Sequence, residues 1–172
     1  KLDYLVLYAK ILNEKNNFKK ELSIRKEIVD LEAKYNGKKH EYYYDALYQL
    51  GIALMNNDEY REANKVLQNL VNISEKENPE NLDLFLLELS KSFTWLGDRK
   101  NEEKYLFKSL KTAEKNWGAN SGDTALILHS VGDYYLNYSD YRNAEKYLFK
   151  ALKIQKRFND KVGEDDRGVT YQ

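Results

Sequence analysis

The chain has 172 residues, and its 28 Lys and Arg balance its 28 Asp and Glu, so the formal net charge is zero. This balance gives no long-range attraction for nucleic acid, and the absence of cysteine excludes disulfides and thiolate zinc sites. No apolar run approaches the roughly 18 residues of a membrane span. Because Lys1 opens directly on a helical pattern, we interpret the chain as a piece of a longer cytoplasmic protein.

Four successive repeats share one apolar pattern, which predicts a first helix, a polar break and a longer second helix. In chain order the repeats span 1–40, 41–79, 80–121 and 122–163, and 164–172 resembles the start of a further one. A small residue, where two helices would cross closely, is followed nine positions later by a mostly aromatic slot. These two slots hold Ala9 and Phe18, Gly51 and Tyr60, Ser90 and Arg99, and Gly132 and Tyr141.

The polar breaks should end one helix and cap the next. They lie at residues 16–17, 56–58, 97–98 and 139–140. In the second helices, residues 103–111 return as 145–153 with a single change, Ser109 becoming Ala151. Repetition at a fixed period of 20 to 50 residues is typical of a solenoid.

These patterns resemble the tetratricopeptide repeat. Leu47, Leu50, Gly51 and Leu54 occupy its signature slots, and Leu128, Val131, Gly132 and Tyr135 do so in the fourth repeat. The resemblance implies an all-α, right-handed α-solenoid of about four helix–turn–helix repeats, with 1–172 forming one array. The 42-residue period is longer than the usual one and is similar to that of kinesin light chains and bacterial relatives.

The first and third repeats depart from the family pattern. Glu21 and Glu102 stand where a small residue is usual, and Arg25 fills a normally apolar slot. We expect these sites to be looser or less buried than their counterparts.

The resemblance also implies that the first helices line a concave groove for a peptide. Mapped onto this chain, the groove is mixed, with amide groups for a peptide backbone and apolar groups for an anchor. The predicted contacts are Lys10, Asn13, Tyr48, Ile52, Met55, Asn56, Lys91, Trp95, His129, Asp133 and Asn137.

Alternatives remain for some of these residues. Tyr48 and Trp95 equally fit packing against adjacent helices, and Asn56 and Asn137 equally fit helix caps. The carboxylate clamp of co-chaperone members is excluded, because Glu88 stands where the clamp needs arginine.

The second helices carry a basic stripe at helical spacing. It consists of Lys104, Lys108, Lys111 and Lys115, repeated as Lys146, Lys150, Lys153 and Arg157. We interpret this stripe as a solvated surface, with the docking of an acidic partner as the alternative.

No catalytic constellation accompanies the repeats. The two histidines, His40 and His129, lack a nucleophile and acid in a triad pattern, and His129 with Asp133 gives only two metal ligands. No glycine-rich phosphate loop occurs. We therefore predict a protein that is not an enzyme and needs no metal or cofactor.

The function predicted is a protein-interaction module that binds a peptide or partner protein in the groove, as part of a larger protein. The alternative is the peptide-sensing domain of a bacterial signalling regulator. No nucleic-acid or membrane partner is expected. Because 1–6 and the tail 169–171 look like uncapped ends of an array, we also expect end-to-end self-association.

Overall fold

The computed structural model describes residues 1–77 and 80–165, with side chains up to Arg157. Over these residues the fold is all-α, as predicted, with eight helices and no strand. The helices are α1 (Leu2–Glu14), α2 (Phe18–Tyr35), α3 (Glu41–Asn56), α4 (Tyr60–Ser74), α5 (Leu82–Leu96), α6 (Arg99–Trp117), α7 (Gly122–Asn137) and α8 (Tyr141–Asp165).

The chain divides into two compact parts, an N-terminal part, Lys1–Tyr105, and a C-terminal part, Leu106–Gln172. In the N-terminal part each helix from α1 to α4 packs on the next one in the sequence. In the C-terminal part α7 packs on α8. Such neighbour-to-neighbour packing is how repeat arrays build a core. The limits of the four predicted repeats stay a prediction; α8 continues past 163, and most of 164–172 lies outside the described residues.

The core of the N-terminal part is aliphatic and aromatic. One cluster joins α3, α4 and α5 through fully buried leucines, and smaller clusters join α2 to α3 and α1 to α2. Apolar residues recur every three or four positions along these helices and form one apolar face on each. That face contacts the other helix of the pair and a helix of the next pair.

The structure explains why the repeats carry a small residue where the two helices of a pair cross, as the sequence predicted. A Cβ added to Gly51 would lie 2.6 Å from Leu67 Cδ2, and one added to Gly132 would lie 2.5 Å from Leu148 Cγ. Carbon atoms at such separations overlap strongly. The two helices of each of these pairs therefore approach as closely as they do only because no side chain separates them.

The polar breaks contain a left-handed residue at one recurring position. Asn16, Asp58, Gly97 and Ser139 have φ values of 55°, 61°, 71° and 59°. They are spaced as the small residues are, so each turn between paired helices uses the same backbone shape. Three of the four are not glycine, and a side chain in this region costs conformational energy.

Two of the breaks cap the following helix as predicted. Asn101 N donates to Asp98 Oδ1 at 3.1 Å, and Asn143 N donates to Asp140 Oδ1 at 3.2 Å. Each asparagine also donates its side-chain amide back to the same carboxylate. These bonds lower the pKa of Asp98, the side-chain one most strongly. At the other two breaks, Asn17 and Glu59 make no side-chain cap bond.

The expectation that Glu21, Arg25 and Glu102 are loosely packed is wrong. Their exposed fractions are 2%, 6% and 4%. Polar partners make this burial tolerable: Arg25 Nε lies 3.2 Å from Glu21 Oε1, and Thr94 Oγ1 donates to Glu102 Oε1 at 2.9 Å. Burial of a charged group is tolerated when the group is paired with an opposite charge or is hydrogen-bonded.

The shared turn shape predicts opposite effects for two substitutions. Ser139→Gly relieves a strained side chain and should raise the free energy of unfolding by about 0.5 kcal/mol, while Gly97→Ala introduces strain and should lower it by about 1 kcal/mol. Urea unfolding followed by circular dichroism measures both. A Gly97→Ala protein as stable as the parent would contradict the argument.

The close crossing predicts that alanine is harmful at Gly132, although alanine ordinarily favours a helix by about 1 kcal/mol over glycine. Overlap with Leu148 should instead lower the free energy of unfolding by about 1–3 kcal/mol. Gly122→Ala in the same helix is the matched control, because a Cβ there meets nothing within 4 Å. Thermal unfolding of the two variants should separate them, and equal stability would refute the close-contact explanation.

Candidate functional site

Four of the predicted contacts meet in one polar cleft of the N-terminal part. Lys10 and Asn13 reach it from α1, and Ile52 and Asn56 reach it from α3. The cleft has a volume of about 270 Å³. Its remaining lining residues are Glu14, Glu21, Arg25 and Gln49. Two cations and two carboxylates thus line a cleft that is close to neutral.

The buried ion pair of α2 supplies part of this lining. Glu21 Oε1 binds Arg25 Nε, and Glu21 Oε2 accepts a hydrogen bond of 2.8 Å from Asn13 Nδ2. One N–H of the Asn13 amide is therefore already used within the protein, and the second N–H and the oxygen remain its capacity for a ligand. The ion pair fixes Asn13 in place and links α1 to α2.

A second, acidic cleft adjoins the first and shares Arg25 and Gln49 with it. It has a volume of about 380 Å³ and contains the carboxylates of Asp3, Glu32 and Asp45. Its remaining lining residues are Leu2, Val6, Ile28, Asn36, Tyr42 and Ala46. None of the residues predicted as ligand contacts lines this acidic cleft.

Tyr48 and Met55 lie against the core. Tyr48 is half-buried, and its ring packs at a tilt on Phe85 with centroids 5.5 Å apart. Burial, followed by the charges of Glu88, Asp45 and Asp83, raises the pKa of the Tyr48 hydroxyl. Met55 packs against the same cluster and against that of α2 and α3. The packing interpretation therefore describes Tyr48 at least as well as a role in binding.

Lys91 and Trp95 lie on α5 and line neither cleft. Lys91 Nζ binds Glu88 Oε1 at 2.6 Å. The Trp95 ring stacks on Tyr60 at 5.0 Å and 6°, yet 63% of the residue remains exposed. Trp95 thus packs on the neighbouring pair and still presents apolar surface to solvent.

The three predicted contacts of the C-terminal part lie on α7. His129 Nδ1 and Asp133 Oδ2 are 3.1 Å apart on its exposed face. Asn137 is the last residue of the helix and is also exposed. His129 borders an apolar cleft formed by α7 and α8, with a volume of about 670 Å³.

The residue that caps α3 is the neighbour of Asn56, not Asn56 itself. The C-cap of α3 is Asn57, whose side-chain amide donates to Ala53 O at 2.8 Å and to Phe18 O at 3.0 Å. Asn56 is exposed at the rim of the polar cleft. The C-cap of α7 is likewise Tyr138 rather than Asn137.

Sequence reasoning missed Arg25, Glu21 and Gln49 as lining residues of the polar cleft. The signal was present, because charged residues in two slots that the repeat pattern reserves for small and apolar ones require a local partner. All eight residues of the basic stripe are exposed, as a solvated surface requires. Where side chains are described, no three His, Asp or Glu are grouped closely enough to hold a metal ion.

Comparison with known proteins gives matches of structure only. No family model and no curated protein sequence matches the chain. BtubC (BKLC) from P. vanneervenii matches 90% of the chain with a TM-score of 0.78 and 18% identity. Apo RapI matches 93% with 0.77 and 14%, and a Rap protein complexed with Competence and Sporulation Factor matches 94% with 0.79 and 14%.

These likenesses define the fold. The chain has an all-α helical-repeat fold like that of tetratricopeptide-type proteins. It spans 62%, 57% and 44% of the three matched structures, which is less than two thirds of each. Among the described residues, no helix is both long and apolar enough to cross a membrane.

The buried ion pair predicts a strongly coupled double-mutant cycle. Arg25→Leu alone leaves the Glu21 carboxylate buried without its cation and should lower the free energy of unfolding by about 3–5 kcal/mol. The double variant Glu21→Ala/Arg25→Leu copies Ala144 and Leu148, which fill the same slots in the fourth repeat. It should be clearly more stable than Arg25→Leu. Additive losses in urea unfolding would show that the two side chains act independently.

Proposed function

We propose that the chain is a protein-interaction module that binds an extended peptide or a segment of a partner protein along the first helices of its repeats. The observation that carries this proposal is the polar cleft between α1 and α3. It combines the amides of Asn13, Gln49 and Asn56 with the half-buried side chain of Ile52. Amides satisfy a peptide backbone without demanding a sequence, and an apolar group accepts an anchor side chain.

The charges that line the polar cleft restrict the net charge of the ligand. Lys10 and Arg25 are balanced by Glu14 and Glu21, so a ligand of high net charge gains little there. The exposed Trp95 offers a further apolar contact on α5. We infer a ligand with a mostly neutral backbone-presenting segment and at least one apolar or aromatic side chain.

The proposal predicts that cleft substitutions weaken binding. Peptides selected on this chain from a random-sequence display library serve as the probe, and calorimetric titration measures their affinity. Asn56→Ala should weaken binding by about tenfold, the equivalent of one hydrogen bond. Asn56 is exposed at the end of α3, so the fold should tolerate the change.

Lys153→Ala is the matched control, because Lys153 is exposed on α8 and lies outside the cleft. It should leave the affinity unchanged. Equal affinities for the parent and the Asn56→Ala variant would exclude the cleft as the binding site.

A second hypothesis makes the chain the peptide-sensing domain of a bacterial signalling regulator. Its support is the fold that the chain shares with a Rap protein solved in complex with Competence and Sporulation Factor. The chain spans 44% of that structure, and the likeness concerns the fold only. The sequence of the whole gene distinguishes the two hypotheses, because a sensor requires an output domain on the same chain. The absence of enzymatic activity, of nucleic-acid and membrane partners, and a cytoplasmic location stay predictions.

A further inference from the structure

The acidic cleft exists because small side chains stand where the next repeat carries aromatic rings. The small residues are 42 positions apart from the first repeat to the second and 39 apart from the second to the third, so Val6 corresponds to Tyr48 and Ala46 to Phe85. The rings of Tyr48 and Phe85 pack together at 5.5 Å. Val6 and Ala46 leave the equivalent space open as the cleft of about 380 Å³. Helices of both the first and the second repeat border this cleft, so its opening is a property of their side chains.

The negative charge of this cleft has no cation of its own. Glu32 is only 4% exposed, and its Oε2 accepts a bond of 2.6 Å from the neutral amide of Asn36. Within the part of the chain that the structure describes, none of Glu32, Asp3 and Asp45 forms an ion pair. Burial of a carboxylate without a cation is costly. The three carboxylates therefore favour a ligand that brings the cation.

Arg25 gives a second, independent indication of a ligand. It is 6% exposed and lines both the acidic and the polar cleft. Its Nε donates to Glu21, and neither of its Nη groups has an acceptor among the residues that the structure describes. The Nη–H groups of a guanidinium are strong donors, and burial makes an unused donor costly. A main-chain carbonyl of a ligand that passes from one cleft to the other is a suitable acceptor.

The lining of the acidic cleft defines the kind of cation. Val6, Ile28 and Ala46 offer apolar walls to an aliphatic stem, while the carboxylates suit a charged head. Where side chains are described, no three acidic groups are close enough to hold a metal ion. Carboxylates spaced more widely than that fit a planar guanidinium, which spreads its donors, better than a compact ammonium.

We propose that the acidic cleft receives a basic side chain of the bound peptide, with arginine preferred to lysine, while Arg25 donates to a main-chain carbonyl of the same segment. This inference rests on the proposed function, since the peptide that crosses the polar cleft carries the side chain. It adds one basic residue beside the neutral segment and its apolar anchor. The acidic cleft thus selects among peptides that the amides of the polar cleft accept without regard to sequence.

The test uses peptides selected from a random-sequence display library on the parent chain and, separately, on the Asp45→Asn variant. Asp45 is exposed near the start of α3, so the fold should tolerate this change. Peptides selected on the parent should carry arginine at one fixed position relative to their apolar residue, and those selected on the variant should not. In calorimetric titration, replacing that arginine of the peptide by glutamine should weaken binding to the parent about tenfold, and binding to the variant much less.

Glu41→Gln is the matched control, because it removes the same charge from the same helix one turn earlier, outside both clefts. With this variant the arginine of the peptide should still contribute about tenfold. Selected peptides that Asn56→Ala weakens but that need no basic residue would overturn the inference and leave the proposed function standing. An equal loss for the parent and for Asp45→Asn when the arginine is replaced would overturn it as well. A library that yields no binder contradicts the proposed function and this inference together.

Discussion

The close approach of paired helices at a residue without a side chain is the constraint on which the other features depend. In the second and fourth repeats, Gly51 and Gly132 let a leucine of the second helix rest on the backbone of the first. This contact sets how the helices cross, and the crossing requires a turn that reverses the chain within a few residues. The left-handed residue in each turn satisfies that requirement. The polar cleft lies between the first helices α1 and α3, and Glu21 and Arg25 of α2 complete its lining.

The sequence predicted the helices well because their signals are local. The small residue, the aromatic slot and the polar break recur at fixed spacing, and local spacing specifies a helix pair. The caps at Asp98 and Asp140 are equally local, since each involves a residue three positions later. The burial of Glu21 and Arg25 was mispredicted because charge was taken as a sign of exposure, although the two residues are partners four positions apart on one helix. Only the additional bond from Asn13 of α1 is beyond the reach of local spacing.

The candidate site was predictable only in part. Lys10, Asn13, Ile52 and Asn56 share one cleft. No local sequence feature distinguishes them from Tyr48, which packs on Phe85 of a different repeat. Which side of a first helix stays open depends on the side chains of the following pair. Those contacts join residues some forty positions apart, beyond the reach of a pattern that describes one helix at a time.

The buried ion pair of α2 has a consequence for the dynamics of the first helix. If α1 lifts away, Glu21 and Arg25 regain water, and their recovered hydration offsets part of the lost contact. An apolar seal such as Ala144 and Leu148 gives no such compensation, because its exposure to water is unfavourable throughout. Opening of α1 should therefore cost less free energy than opening of a helix that is sealed by apolar side chains alone, although the buried Leu5, Ala9 and Leu12 still oppose it.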